Sequence, residues 1–117
     1  MTVESVEEEP DATMRCWGIM QDPLGFRLVG IHVTPRESQS VRVSSPLIEF
    51  DVRAMTARTA SGRRYHLAGP PDERVAAAVI RMHVRRWGLE ASEVALMEPR
   101  YVSLTLAPTP AGGSDAN

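Results

Sequence analysis

Between Ala57 and Pro71 the chain reads ARTASGRRYHLAGPP, which crowds Arg58, Arg63, Arg64, Tyr65 and His66 into a short run. Guanidinium groups grip phosphates and carboxylates in a bidentate fork, and an imidazole changes charge near neutral pH. The run could therefore bind an anion. The same residues also fit a hairpin, because Met55 to Thr59 and Arg63 to Leu67 alternate across Ala-Ser-Gly, and Gly62 can take the positive φ of a tight turn. On that reading Tyr65 and Leu67 face one side, and Arg64 and His66 face the other. A phosphate loop would feed a helix through several glycines and a Lys-Ser/Thr pair, a pattern this run lacks.

A second group of candidates lies in AGPPDERVAAAVIRMHVRRWG, the clearest helical pattern in the chain. Prolines suit its start, Asp72 and Glu73 complement the positive N-terminal dipole, Arg85 and Arg86 the other end, and Gly88 supplies the stop. At 100° per residue Val75, Ala76, Val79, Ile80 and Trp87 gather on one side, with Arg74, Ala78, Arg81 and Arg85 opposite. The arginine stripe is a candidate anion-binding or partner-binding face. His83 falls on the apolar side, where a buried imidazole needs partners for its nitrogens; a backbone carbonyl or Tyr65 would serve. His32, His66 and His83 have no metal-ligand spacing, and Cys16 has no second thiol near it, so no metal, cofactor or disulfide is read from the chain. Cys16 is expected to act as a small buried apolar residue.

These candidates need a scaffold, and 117 residues allow one modest domain. The expected domain runs over 12–107, between an acidic tail at 1–11 and a Pro/Gly/Ser-rich tail at 108–117. Thr13 to Met20 and Phe26 to Thr34 read as an antiparallel strand pair across QDPLG. In the second strand Phe26, Leu28, Gly30 and His32 share one face, and Arg27, Val29, Ile31 and Val33 the other, so His32 need not be buried. A broken strand region follows through VRVSS and PLIEFD, then the hairpin and the helix. LEASEVALMEP is ambiguous between a helical turn and a strand. RYVSLTLA alternates as a last strand. The predicted fold is α+β, an antiparallel sheet of five or six strands with one long amphipathic helix packed on it.

Charge is unevenly spread. The net charge is −2, but five of the fifteen acids lie in residues 1–11, which leaves residues 12–117 at +3 and Val52–Arg86 at +6. All thirteen basic residues are arginine, a bias that weakens the case for any single one. No apolar run approaches the roughly 18 to 20 residues that span a bilayer, and the acidic N-terminus does not read as a secretory signal, so the expected location is cytoplasmic with no membrane partner.

The stretch from Gly30 to Pro71 resembles small proteins encoded by bacteriophages and bacterial mobile elements. Thr59, Ser61, Gly62, Tyr65, Leu67, Gly69 and Pro71 match their Thr-Xaa-Ser-Gly-Xaa-Xaa-Tyr-Xaa-Leu-Gly-Xaa-Pro pattern with one residue inserted before Gly69, while Val33-Thr34-Pro35 departs from their His-Pro. The resemblance implies accessory cargo of mobile DNA, a class that includes inhibitors of host defence such as anti-CRISPR proteins. Two functions follow as expectations. The first is a non-enzymatic binding protein that occupies a surface of a larger protein or ribonucleoprotein complex, with the acidic tail and Arg63, Arg64, His66, Arg74, Arg81 and Arg85 as candidate contacts. The alternative is a nucleic-acid-binding accessory or regulatory protein using the arginines of the hairpin and helix. An enzyme is not expected, because no nucleophile-base pair or acid-base carboxylate pair can be named.

Overall fold

The computed structural model describes residues 11–34, 36 and 38–106; the expected tails fall outside that set apart from Asp11. The described chain runs β1 (Asp11–Asp22), β2 (Gly25–Val33), β3 (Gln39–Asp51), β4 (Thr56–Thr59), β5 (Arg64–Ala68), α1 (Glu73–Trp87), a 3-10 turn at Ala91–Glu93, β6 (Ala95–Met97) and α2 (Pro99–Thr105). Each strand from β1 to β5 pairs antiparallel with the next, and β5 then pairs with β1 in parallel, from Asp11 beside Arg64 to Arg15 beside Ala68. The five strands close into a mixed barrel. The parallel pair follows from counting: in an up-and-down order the first and fifth strands point the same way, so a ring of five must contain one parallel join. This overturns the expected antiparallel sheet. Alternation along each strand was legible, but closure depends on how far the sheet coils.

A bulge in β1 controls which side chains enter the barrel. The register with β2 slips between Arg15 and Gly18, and Cys16 adopts φ 48° at the slip. Before it Ala12 and Met14 point inward; after it Trp17 and Ile19 do, because one extra residue inverts the alternation. Cys16 is left half-buried at the kink. Beyond the bulge β1 leaves β5 and takes β6 on the same edge, pairing Ile19 with Met97 and Gln21 with Ala95. Trp17, Phe50, Tyr65 and Leu67 fill the interior, and the Trp17 indole N–H donates to the Gly69 carbonyl at 2.9 Å, pinning the turn that launches α1.

Among the described residues there are two α-helices where one was expected. RYVSLTLA forms most of α2, with Pro99 in its first turn, instead of a last strand. Its period-two apolar pattern also satisfies a helix, since Val102 and Leu106, four apart, both face the barrel while Leu104 is exposed. The Ser103 hydroxyl donates to the Phe50 carbonyl at 3.3 Å, and Tyr101 meets Phe26 edge-on at 6.3 Å, so α2 stoppers one end of the barrel. Among the described residues no helix is long and apolar enough to cross a membrane.

Candidate functional site

The outer surface of β1, β2 and β3 carries a second apolar cluster. Met20 and Val29 face outward there and are covered by Ala76, Val79 and Ile80 of α1. The helix starts where the Asp72 carboxylate accepts from the Val75 N–H at 3.0 Å, and it stops at Gly88, whose φ is 64°. It comes unusually close to the barrel at Gly18, where an added Cβ would stand 2.4 Å from the Ala76 Cβ. That contact seats the N-terminal half of α1. The apolar stripe then continues into His83 and Trp87, but the barrel beneath it ends, so Trp87 remains 65% exposed. The expected packing of Trp87 on the sheet does not occur.

Between the overhanging end of α1, the outer face of β2–β3 and the β1–β2 turn lies a cleft of about 1010 Å³. Leu24, Val41, Met82 and Trp87, each more than half exposed, line it. Its floor is fixed by an ion pair, with Arg27 Nε 2.6 Å from Asp22 Oδ2 and both side chains largely buried. The other Asp22 oxygen accepts from the Leu24 N–H at 2.9 Å, and Arg27 donates to the Ser44 carbonyl at 3.0 Å, so one carboxylate shapes the turn while one guanidinium braces it against β3. His83 stands over this pair. Burial and the positive charge of Arg27 lower its pKa below the ordinary 6.5, against the opposing pull of Asp22. The shift favours the neutral imidazole. Arg86 lies 6.0 Å from the centre of the Trp87 ring, and His83 packs 6.4 Å from the same ring.

The residues singled out from the sequence do not form one site. Arg64 and His66 project from the outer face of β5 and share Asp11, at 4.0 and 3.6 Å. Together with Arg58 they line a depression of about 310 Å³, in which Arg58 pairs with Glu49 at 2.7 Å. Arg63 is only 5% exposed, which places it beneath any surface a partner would reach. Arg74, Arg81 and Arg85 are exposed on α1, a different element from the hairpin. The three histidines also separate. His66 is outside β5 and His83 is in the cleft, while His32, contrary to the reading that left it free to be exposed, is buried in the barrel with its ring edge-on to Tyr65 at 6.1 Å. The tyrosine partner expected for His83 thus belongs to His32. Among the described residues no three His, Cys, Asp or Glu side chains gather as a metal site.

The turn residues from Thr59 to Gly69 have a structural account. Thr59 and Ser61 join hydroxyls at 2.9 Å, Gly62 turns with φ 97°, Tyr65 and Leu67 enter the core, and Gly69 offers the carbonyl that Trp17 binds. These residues build a turn and its anchorage. The cleft, by contrast, was missed from the sequence. One signal for it was present: Leu24 sits in a Pro-Leu-Gly turn where a polar residue is usual. No protein family matches the chain, and no curated protein or solved structure is similar to it.

Proposed function

We propose that this protein is a non-enzymatic binding protein that occupies a surface of a larger partner through the cleft between α1 and the barrel. The observation that carries this reading is convergence. Of the eight large apolar side chains exposed among the described residues, Leu24, Val41, Met82 and Trp87 surround one concavity. Scattered exposed apolar residues are ordinary, whereas a contiguous set around a concavity costs solubility and marks a surface that is covered in use. The resemblance of Gly30–Pro71 to mobile-element proteins directs the search for that partner toward host defence complexes.

The test is affinity capture from the organism that encodes the chain, comparing the wild type with Leu24→Glu, Met82→Glu and Trp87→Glu and with Ile48→Glu as an exposed control outside the cleft. Loss of the captured partner is expected for the first three variants and not for the control, with unchanged circular dichroism throughout. Equal capture by all of them overturns the reading. One observation favours nucleic acid as a second reading: an exposed Trp87 ring beside Arg86 pairs a stacking face with a phosphate-binding charge. Binding of single-stranded oligonucleotide that weakens steeply with salt and is lost in Trp87→Ala would establish it.

A further inference from the structure

Helix α2 stoppers the end of the barrel where β2 begins and β3 finishes, and the other end, where β1 and β5 begin, is built from different chemistry. Arg63, Tyr65 and Leu67 alternate inward there, and Arg63 is only 5% exposed. Across the lumen Arg42 of β3 donates to the Tyr65 hydroxyl at 3.2 Å, and the buried His32 of β2 meets the Tyr65 ring edge-on at 6.1 Å. Two guanidinium groups and an imidazole thus gather around one tyrosine. The buried polar and charged residues among those described are His32, Ser44, Thr59 and Arg63, so basic groups and hydroxyls define this end. From this placement we infer that the basic end of the barrel is a carboxylate-binding site whose occupant is the acidic N-terminal segment of the same chain, residues 1–10.

Charge, attachment and length select this occupant. Neither Arg63 nor His32 lacks a partner, and for a guanidinium so deep the stable partner is an anion. Residues 1–10 read MTVESVEEEP, with Glu4, Glu7, Glu8 and Glu9 and no basic side chain. Their point of attachment is fixed by the parallel seam. Asp11 is the register partner of Arg64, so the chain before Asp11 joins the barrel next to Arg63. Ten residues reach up to roughly 33 Å when extended, while neighbouring strands stand only about 4.8 Å apart, so the segment is long enough to pass over the barrel end. A tethered carboxylate acts at an effective concentration of about a millimolar, which favours it over dissolved anions. The outward arginines of the same strands compete little for these acids, because Arg58 is paired with Glu49 and Arg64 stands beside Asp11. Independently of the cleft, this makes the acidic segment a ligand of its own chain in place of a partner contact.

NMR of the full chain tests this through the Nε–H group of Arg63, whose exchange with water slows when a carboxylate holds it. In a variant combining Glu7→Gln, Glu8→Gln and Glu9→Gln that proton should exchange at least about tenfold faster, and the folded-to-unfolded ratio in urea should fall at least about tenfold, as expected for a lost hydrogen bond to a charged group. The same triple change in an Arg63→Gln background should do little, since both act through one contact. Glu37→Gln, in the β2–β3 connection at the same end, should leave exchange and stability unchanged. Unaltered exchange and stability in the triple variant would overturn the inference. So would an equal loss with and without Arg63, which is an effect of net charge alone, or a loss produced by Glu37→Gln instead. Should Arg63→Gln not fold, the Arg63 exchange rate in the triple variant decides. None of these readings involves Leu24, Met82 or Trp87, so the cleft reading stands or falls separately, on capture of the partner.

Discussion

Two regions of this molecule carry arginines beside aromatic and imidazole groups, and they end up in opposite states. On the β4–β5 hairpin the apolar side chains Tyr65 and Leu67 are all directed inward, and the outward charges meet local partners: Arg58 with Glu49, Arg64 and His66 with Asp11. At the C-terminal end of α1 the apolar stripe outruns its support, and Met82, Trp87 and Arg86 are left over. The hairpin holds the denser collection of reactive residue types, yet the cleft holds the unsatisfied ones. A binding site is what packing leaves uncovered, and composition alone does not reveal that remainder.

The sharpest test of the contrast is Leu67→Ala, which removes a side chain from the barrel interior and should cost about 2 to 5 kcal/mol in chemical denaturation. A cost near zero would mean that the hairpin is a surface element after all. Gly18→Val attacks the other side, since the new side chain would enter Ala76; overpacking of this kind typically costs about 1 to 3 kcal/mol, and it should loosen the cleft by lifting α1. Asp22→Asn strips the partner from a largely buried guanidinium, with an expected loss of about 1 to 3 kcal/mol. It also removes the Asp22 charge that raises the His83 pKa, so an NMR titration should find that pKa lower still.

A lowered histidine pKa makes the unfolded chain the better proton acceptor. The contribution of His83 to stability is therefore complete above its ordinary value of 6.5 and is lost as pH falls through its folded value. Thermal melts of the wild type between pH 7 and 5 should fall more steeply than those of His83→Gln. Gly62→Val should destabilise by about 1 kcal/mol, because φ 97° excludes a β-branched residue. Arg64→Ala should be the mildest, at about 0 to 1 kcal/mol for an exposed ion pair. Reversal of the last two costs would return the hairpin to the list of buried charged sites.

Much of the local structure was legible. The hairpin across Ser61-Gly62 lies where the alternation placed it, with Tyr65 and Leu67 buried and Arg64 and His66 outside, because a two-residue period and a turn glycine are properties of neighbouring residues. The acids Asp72 and Glu73 at the start of α1 and the stop at Gly88 were legible for the same reason, while the capping bond of Asp72 is seen only in the structure. RYVSLTLA was not legible, since its apolar spacing satisfies a strand and a helix equally and only the barrel mouth beside Phe26 and Phe50 selects the helix. Of the expected contacts, Arg63 is placed below the surface, on the same side of the hairpin as Tyr65 and Leu67, which is where the two-residue alternation that turns Arg64 outward also puts it.

By itself, then, the sequence determined the elements whose causes are local: alternation, caps, turns and the amphipathic side of α1. The tertiary structure decided the rest. A one-residue bulge at Cys16 inverted the inward face of β1, five strands in sequence order closed with a parallel seam, and α1 came to rest where Gly18 admits Ala76. The helix pattern fixed which residues share a side but not how far the barrel would extend beneath them. Trp87 lies on the apolar side by periodicity and in the open by geometry, because burial depends on what the rest of the chain places opposite a side chain.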